Sequence, residues 1–321
     1  MTAAAAEHPI PSDRARGLVR GGYDTHVHIA PDVVRRRVTD VALARRFAEV
    51  GLAGFGLKSH YTSTAERARV VSEAVPGVDT IGTITLNRAV GGLNPVAVEI
   101  AAREGARIVW FPTVSSENEQ HEVLAADPDG KVPVWVRFEL ELRSSGVVPA
   151  PVPVVDAGGE LVDEARAVLE VVARHDLVLA TGHLSRDEIF ALVDGAVKAG
   201  VERIVVTHPE FPSQRIPVAD QCELAGRGAV MERAFTTPYT GKCSWEQVFA
   251  ATRAVGAKRT VWSTDLGQVF NPPVEDGLAI MADRFLEAGF DDEEIRTMAV
   301  TNTRWIAAAN GAARERAAAA A

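Results

Sequence analysis

The stretch Gly22-Tyr-Asp-Thr-His-Val-His28 is the first of eight short β-rich segments, each of which is followed by a helical pattern. Strands that alternate with helices of about 10 to 15 residues are typical of parallel βαβ units. We therefore predict a (β/α)8 TIM barrel. A doubly wound open sheet is the alternative, but it would carry a glycine-rich phosphate turn where His26-Val-His28 stands. The eight predicted strands are Gly22–His28, Gly54–His60, Thr80–Leu86, Arg107–Pro112, Leu177–His183, Arg203–His208, Ala229–Arg233 and Thr260–Asp265.

Several helices between these strands carry start and stop signals. Ser63–Glu66 and Ser185–Glu188 match the capping-box pattern, in which two side chains satisfy the first backbone N–H groups of a helix. Asn94-Pro95 predicts an N-cap followed by proline at the first helical position, and Gly105 predicts the end of that helix.

The spacing of the strands predicts one insertion in a single domain that spans residues 1–321. Successive strands start roughly 25 to 32 residues apart, except for a gap of about 70 residues between the fourth and the fifth. The inserted residues, about 113–162, follow the fourth strand and contain Asp156-Ala-Gly-Gly159, which predicts a β-hairpin turn. Lying on the catalytic face, the insertion is predicted to be a lid or specificity element, with decoration or an oligomer contact as the alternatives. The Ala-rich tail, 307–321, is predicted to be a frayed helix end.

Composition excludes several classes of protein. The 321 residues carry 34 Lys and Arg against 43 Asp and Glu, so the net charge is −9, which argues against a nucleic-acid partner. Arg35-Arg36-Arg37 is the densest basic run and is expected to be a solvated face. Cys222 and Cys243 form no Cys-x-x-Cys motif, and no apolar run approaches the roughly 18 residues that span a membrane. We expect a soluble, cytoplasmic homo-oligomer that acts on a small molecule, without membrane or nucleic-acid partners.

Histidines and one aspartate recur where the predicted strands end. His26 and His28 lie on the same face of the first strand, since side chains alternate along a strand. His183 ends the fifth strand, His208 the sixth and Asp265 the eighth. The carboxyl ends of barrel strands meet at one mouth, so this set predicts a divalent metal site there.

These residues resemble the signature of the amidohydrolase superfamily, which consists of metal-dependent TIM-barrel hydrolases. The match is His-x-His on strand one, single histidines ending strands five and six, and aspartate ending strand eight. The segment Thr301-Asn302-Thr-Arg-Trp-Ile is also similar to the one that closes many members. Gly56–His60 and Asp265-Leu-Gly-Gln268 are similar to a poorly characterised branch of predicted metal-dependent hydrolases, and this branch does not specify a substrate.

The resemblance implies a water or hydroxide held on one or two divalent ions, Zn²⁺ first and Mn²⁺ or Fe²⁺ as alternatives. His26, His28 and His183 would be metal ligands, and Asp265 would be a ligand, a general base, or both. His208 would be a ligand to a second ion or would stabilise an oxyanion. Asp24, in phase with His26, would orient a ligand imidazole or be satisfied by backbone N–H groups.

One departure from the resemblance concerns the fourth strand. In two-metal members, a carboxylated lysine or a glutamate at its end bridges the ions, whereas Val109-Trp-Phe-Pro112 stands here. Lys58, at the end of the second strand, could instead be carboxylated and bridge two metals, or stay cationic and hold a substrate carboxylate. The third alternative is a lysine that extends to solvent or pairs with Glu232.

We expect the substrate to contact His60, Glu210, Glu232, Asn87 and Arg233, with salt bridges or packing as the alternative for the charged residues. The leading function is hydrolysis of a C–N bond in a small amide, cyclic amide or imide. Hydrolysis of a lactone, ester or phosphoester, or decarboxylation, would use the same site. A barrel that binds metal or ligand without catalysis is the third reading.

Overall fold

The computed structural model describes residues 8–120, 134–148 and 150–311. Eight parallel strands form one sheet in the order β1 to β8, so each strand pairs with its neighbours in sequence. The strands are β1 Tyr23–Val27, β2 Gly54–Leu57, β3 Asp79–Thr85, β4 Ala106–Trp110, β5 Val178–Ala180, β6 Arg203–Val206, β7 Val230–Ala234 and β8 Thr260–Ser263. The predicted TIM barrel is confirmed.

The barrel closes between its first and last strands. A parallel bridge joins Val27 to Leu266, and the Asp265 N–H donates to the His26 carbonyl at 2.8 Å. The neighbouring strands are in register, so that Tyr23 lies beside Gly54, and Gly54 beside Asp79. This closure brings the mouth-facing residues of β1 and β8 side by side.

Helices cover the outside of the barrel. They are α1 Asp13–Val19, α2 Asp40–Val50, α3 Ala65–Ala74, α4 Pro95–Glu104, α5 Val134–Ser144, α6 Asp163–Arg174, α7 Arg186–Lys198, α8 Val218–Gly226, α9 Thr236–Tyr239, α10 Trp245–Val255, α11 Val274–Glu287, α12 Asp292–Arg296 and α13 Asn302–Ala307. Shorter turns of 3₁₀-helix lie at Arg88–Val90 and Ala257–Arg259, and a π-helical turn at Thr297–Thr301. No helix among these is long and apolar enough to cross a membrane.

Two of the three helix starts predicted from capping residues are confirmed. Ser185 and Glu188 form the capping box of α7, and the Asn94 side chain caps α4, which ends at Gly105 in the left-handed conformation. The capping box predicted at Ser63–Glu66 is wrong, because Thr64 is the N-cap residue of α3 and makes no side-chain cap bond. Its hydroxyl donates to the Leu57 carbonyl at 2.6 Å instead and ties the helix start to β2.

Apolar residues fill the barrel and the layer between strands and helices. Six strands contribute buried residues to the interior cluster, among them Ile81, Ile108, Val178, Val205, Val230 and Val261. At the base, the Asn302 side chain donates to the carbonyls of Ala257 and Thr260 at 2.9 and 2.6 Å, which fixes α13 to the start of β8. The interior is therefore packed below the carboxyl-terminal mouth of the barrel.

The insertion, about 113–162, contributes α5 and a tight turn, and α6 follows it before β5. At Asp156–Gly159 the chain reverses, and Val155 and Leu161 pair as a single antiparallel bridge. Residues 121–133 of the insertion and the end of the Ala-rich tail, 312–321, lie outside the described residues, so what the sequence predicts for them stays a prediction.

Candidate metal centre

The strands end one to three residues before the polar side chains that mark their ends in the sequence. His28 follows β1 directly, whereas His183 stands three residues beyond β5, and His208 and Asp265 stand two residues beyond β6 and β8. His208 and Asp265 have positive φ angles of 25° and 54°, which are incompatible with a continuing strand. Strained backbone of this kind is common at functional sites, where it aims a side chain into a cavity.

Three side chains converge on one point at the mouth. Asp265 Oδ1 lies 3.3 Å from His26 Nε2 and 3.1 Å from His28 Nε2. One ligand atom from each of these three residues lies within 4.8 Å of the other two. Donor atoms that surround one ion at about 2.0–2.2 Å in tetrahedral geometry are about 3.3–3.6 Å apart. The spacing therefore fits a single divalent ion bound by two imidazoles and a carboxylate.

Glu232 fixes the orientation of His26. Its Oε1 accepts hydrogen bonds from His26 Nδ1 at 3.0 Å and from Ser263 Oγ at 2.7 Å, and its Oε2 accepts from the His208 N–H at 3.1 Å. A carboxylate can only accept, so the proton of neutral His26 resides on Nδ1 and its Nε2 lone pair points to the site. Carboxylates that hold ligand imidazoles in this way raise their basicity.

The loop after β8 holds Asp265 in place. Thr236 Oγ1 donates to Asp265 Oδ2 at 2.9 Å, which leaves Oδ1 for the two histidines. Two residues later, Gly267 has a φ of 138°, and a Cβ there would lie 1.5 Å from the carbonyl oxygen of His28. Only glycine permits this close passage, which presses the Asp265 loop against the end of β1.

Three further histidines extend the cluster across the mouth. The ring centroids of His183 and His208 are 5.0 Å apart, those of His28 and His60 4.8 Å, and those of His26 and His208 6.0 Å. His208 Nδ1 lies 2.8 Å from Gln214 Oε1, whose amide nitrogen donates to two carbonyls. His208 is therefore a donor at Nδ1 and presents a lone pair at Nε2. His183 Nδ1 faces Glu119 Oε2 at 3.4 Å.

Lys58 lies beside the candidate ligands. Its Nζ is 2.9 Å from His26 Nε2 and 5.0 Å from the centre of the Trp110 ring, which packs against His26. Burial lowers the pKa of Lys58 to about 8. The alternative in which this lysine extends to solvent or pairs with Glu232 is therefore wrong, because the side chain is buried and its nearest polar partner is His26.

The protonation states suit metal binding. Burial lowers the pKa of His28, His60 and His208 well below the ordinary imidazole value, and lowers that of His183 as well. Burial alone would raise the pKa of Asp265, but the neighbouring His26 and His28 outweigh it and hold that pKa well below its usual range. Neutral imidazoles and an ionised carboxylate are the forms that bind a cation.

Four of the predicted substrate contacts lie elsewhere. Glu232 binds His26 as described. Glu210 and Arg233 form a buried ion pair with one another, which the Gln221 side chain joins through Arg233 at 2.7 Å. Asn87 links the segments after β2 and β4, because its Nδ2 donates to the His60 carbonyl and to Thr113 Oγ1. Each of these four side chains bonds to at least one other group inside the protein.

Asp24 does not hold an imidazole either. It accepts hydrogen bonds from the backbone N–H and the hydroxyl of Thr264, and a longer one of 3.4 Å from the His26 N–H. Burial is the main cause that raises its pKa to about 7. The alternative in which backbone groups satisfy Asp24 is therefore the one observed, and the carboxylate locks β1 to the segment after β8.

A cavity of about 680 Å³ opens above the histidines. The insertion contributes Trp135 and Arg137 of α5 to its wall, so the insertion does lie at the mouth. The remaining lining residues are His28, Arg36, Lys58, His60, His183, His208, Phe211, Thr236, Thr240, Lys242, Asp265, Gln268, Phe270 and Asn271. Of the predicted substrate contacts, only His60 is among them.

Comparison with known proteins places the chain in a family. The model of a family of unknown function, DUF6282, matches residues 21–232. The chain belongs to this family. No curated protein matches its sequence.

Solved structures similar to this DUF6282 protein share its barrel. The dipeptidase AC, a metallopeptidase of family M19, is 12% identical with a TM-score of 0.59 over 91% of this chain and 99% of its own. An amidohydrolase from Pseudomonas aeruginosa is 10% identical with a TM-score of 0.55, over 91% and 97%. An organophosphorus hydrolase from Deinococcus radiodurans is 14% identical with a TM-score of 0.51, over 92% and 98%. The expected likeness to the amidohydrolase superfamily is thus confirmed at the level of the fold.

Proposed function

We propose that this DUF6282 protein is a metal-dependent hydrolase. The observation that carries the proposal is the convergence of His26, His28 and Asp265, whose donor atoms have the separations expected around one ion. Two nitrogens and one carboxylate oxygen suit Zn²⁺ best, and Mn²⁺ or Fe²⁺ would also bind them. A divalent cation bound there would acidify a water molecule and polarise the bond to be cleaved.

Asp265 would act as the general base. It is ionised, and Thr236 holds its Oδ2 while Oδ1 faces the site. In hydrolysis of a C–N bond, water adds its oxygen to the carbonyl carbon, the C–N bond breaks, and the nitrogen leaves with a proton. Asp265 would accept the proton from water and pass it to that nitrogen, so that the carboxylate is regenerated.

His208 and His183 would bind a second ion. His208 donates through Nδ1 to Gln214, and burial keeps its pKa low, so Nε2 offers a lone pair rather than a proton. A neutral imidazole in this state cannot donate to an oxyanion from Nε2. This favours the ligand role for His208 over oxyanion stabilisation.

Lys58 has two roles that its position supports. The His26 Nε2 lone pair cannot both bind a metal and accept a hydrogen bond from Lys58 at 2.9 Å. With metal present, Lys58 would either be carboxylated and bridge two ions, or remain a cation and swing toward a substrate anion. Its lowered pKa, about 8, increases the fraction of neutral amine that could react with CO₂.

The substrate we propose is a small amide, cyclic amide or imide. A cavity of about 680 Å³ suits a small molecule, and the similar M19 barrel is named a dipeptidase, which cleaves a C–N bond. The alternative is a lactone, ester or phosphoester, which the similar organophosphorus hydrolase supports, or decarboxylation on the same residues.

The experiment compares metal content and turnover in three variants. We expect elemental analysis to find one or two equivalents of Zn²⁺, Mn²⁺ or Fe²⁺ in the wild-type protein and none in the double variant His26→Ala, His28→Ala. His175→Ala is the matched control, because His175 also bonds to a carboxylate, Glu99, but lies outside the cavity.

Turnover is measured on a panel of amides, imides, lactones and phosphoesters. Asp265→Asn should lower kcat at least about a hundredfold, the low end of the effect of a positioned acid–base group, while it retains more metal than the double variant. Equal metal content in the wild type and the double variant would refute the metal site. A substrate that Asp265→Asn turns over as fast as the wild type would refute the role of Asp265.

A further inference from the structure

The three consecutive arginines, 35–37, have three different environments. Arg35 is exposed, whereas Arg37 donates to the carbonyls of Val269 and Asn271 at 3.0 and 2.9 Å. Arg36 lines the cavity above the histidines, and only 6% of its side chain is exposed. The expectation that the whole run is a solvated face is therefore wrong for Arg36.

The Arg36 guanidinium is held at one edge only. Its Nε donates to Asp32 Oδ2 at 2.7 Å, and the Asp32 side chain is itself 4% exposed. Within 8–120, 134–148 and 150–311, Asp32 is the only side chain that bonds to this guanidinium. The two terminal nitrogens, Nη1 and Nη2, therefore remain available as a planar pair of donors. Such a fork matches the two oxygens of a carboxylate or phosphate.

Arg36 shares its cavity with the candidate metal centre. His28, His60 and Asp265 line the same cavity as Arg36. A bound anion beside Arg36 would thus lie close to the histidines.

The remaining lining of the cavity also favours an anion. Among the described residues, its cationic side chains are Arg36, Lys58, Arg137 and Lys242, and Asp265 is its only carboxylate. Arg137 and Lys242 are exposed at the rim, where Lys242 Nζ lies 4.3 Å from the centre of the Phe211 ring. Cations that outnumber anions in a cleft attract negatively charged ligands to it.

We infer that Arg36 binds an oxyanion group of the substrate, a carboxylate or a phosphate, through Nη1 and Nη2. The inference rests on the proposed function and narrows it to anionic substrates. Asp32 holds the guanidinium in position, and the scissile bond of the same molecule would lie toward Asp265. Arg36 thereby selects for charge at a position separate from the bond that is cleaved.

The test measures binding rather than turnover, so that it does not depend on identifying the reaction. Calorimetry and thermal unfolding are carried out on the protein as purified, with succinate, with inorganic phosphate, and with succinamide as the neutral counterpart of succinate. Arg36→Gln is compared with Arg35→Gln, the matched control one residue away, and with Arg36→Lys, which keeps the charge but not the fork.

We expect succinate, phosphate or both to bind the wild-type protein and raise its Tm, and succinamide to do neither. Arg36→Gln should weaken anion binding about tenfold or more, because hydrogen bonds to charged groups are lost. Arg36→Lys should recover part of the affinity, and Arg35→Gln should leave it unchanged. The anion that binds more tightly, succinate or phosphate, shows whether Arg36 recognises a carboxylate or a phosphate.

Equal affinity for the anions in Arg36→Gln and wild type would overturn the inference, as would equal binding of succinate and succinamide or no binding of either anion. Should Arg36→Gln fail to fold, Arg36→Lys decides: affinity equal to that of the wild type overturns the role of the fork. Loss of turnover in Asp265→Asn is measured separately, so either proposal can fail while the other stands.

Discussion

Replacing Glu232 with Gln tests whether this buried carboxylate tunes His26 as the proposed metal ligand. Glu232 accepts three hydrogen bonds, from His26 Nδ1, Ser263 Oγ and the His208 N–H. A glutamine can keep Oε1 toward His26 and Ser263, but its amide nitrogen would then face the His208 N–H, so two donors would oppose each other. The substitution also removes the negative charge beside the imidazole.

The expected magnitude follows from these contacts. The bond between His26 and Glu232 is 3.0 Å long and buried on both sides, and a hydrogen bond to a charged group contributes about 1.5–3 kcal/mol. Loss of a partner that orients a metal ligand costs about 10- to 100-fold in metal affinity. We therefore expect the Kd for Zn²⁺ to rise about 10- to 100-fold in Glu232→Gln, or about 1.4–2.8 kcal/mol.

The assay is a competition titration with a chromophoric chelator, run on metal-depleted protein. Glu202→Gln is the matched control, since Glu202 is exposed at the opposite end of the barrel strands, directly before β6. Circular dichroism confirms that both variants are folded. If Glu232→Gln binds Zn²⁺ within twofold of the wild type, Glu232 does not tune His26 and the reasoning is wrong.

Two further substitutions test the scaffold around the site. Gly267→Ala places a Cβ 1.5 Å from the His28 carbonyl oxygen at a φ of 138°, so it should lower the free energy of unfolding, measured in urea, by at least about 2 kcal/mol. The control Gly77→Ala is also at positive φ, but nothing lies within 4 Å of its Cβ, so it should lower the free energy of unfolding less. Equal losses in the two variants would contradict the close approach at Gly267. Arg233→Met leaves Glu210 buried without its partner and should cost about 3–5 kcal/mol in the same assay. Its metal content should match that of the wild type, because neither residue lines the cavity, and loss of metal would place Arg233 in the site after all.

The sequence predicts the fold and the convergence of His26, His28 and Asp265, because both depend on periodicity. Alternation along a strand places His26 and His28 on one face, and the ends of parallel strands meet at one mouth. The same rule could have excluded Arg233: if Glu232 points into the barrel, Arg233 must point out of it, toward Glu210.

The alternation of side chains does not show how far along the barrel axis a residue lies. The predicted seventh strand ends at Arg233, whereas β7 continues to Ala234, so Glu232 lies below the mouth at the level of His26. At that depth Glu232 accepts a hydrogen bond from His26 Nδ1 and does not line the cavity. The environment of Arg36 was equally hidden, because its burial depends on the loop after β8, which pairs with it through Gln268. Contacts between segments more than 200 residues apart have no local signature.

A tryptophan ends the fourth strand in place of the bridging residue that the superfamily resemblance implies. Where the superfamily resemblance implies a bridging lysine or glutamate, β4 ends in Trp110, whose ring packs 5.3 Å from that of His26. Lys58, from the loop after β2, reaches over this ring to His26. An indole offers no ligand atom, so any bridge between two ions in this barrel has to come from another strand. Lys58 Nζ lies 2.9 Å from His26 Nε2, and we propose that its chemical state, cation or carbamate, decides between one ion and two.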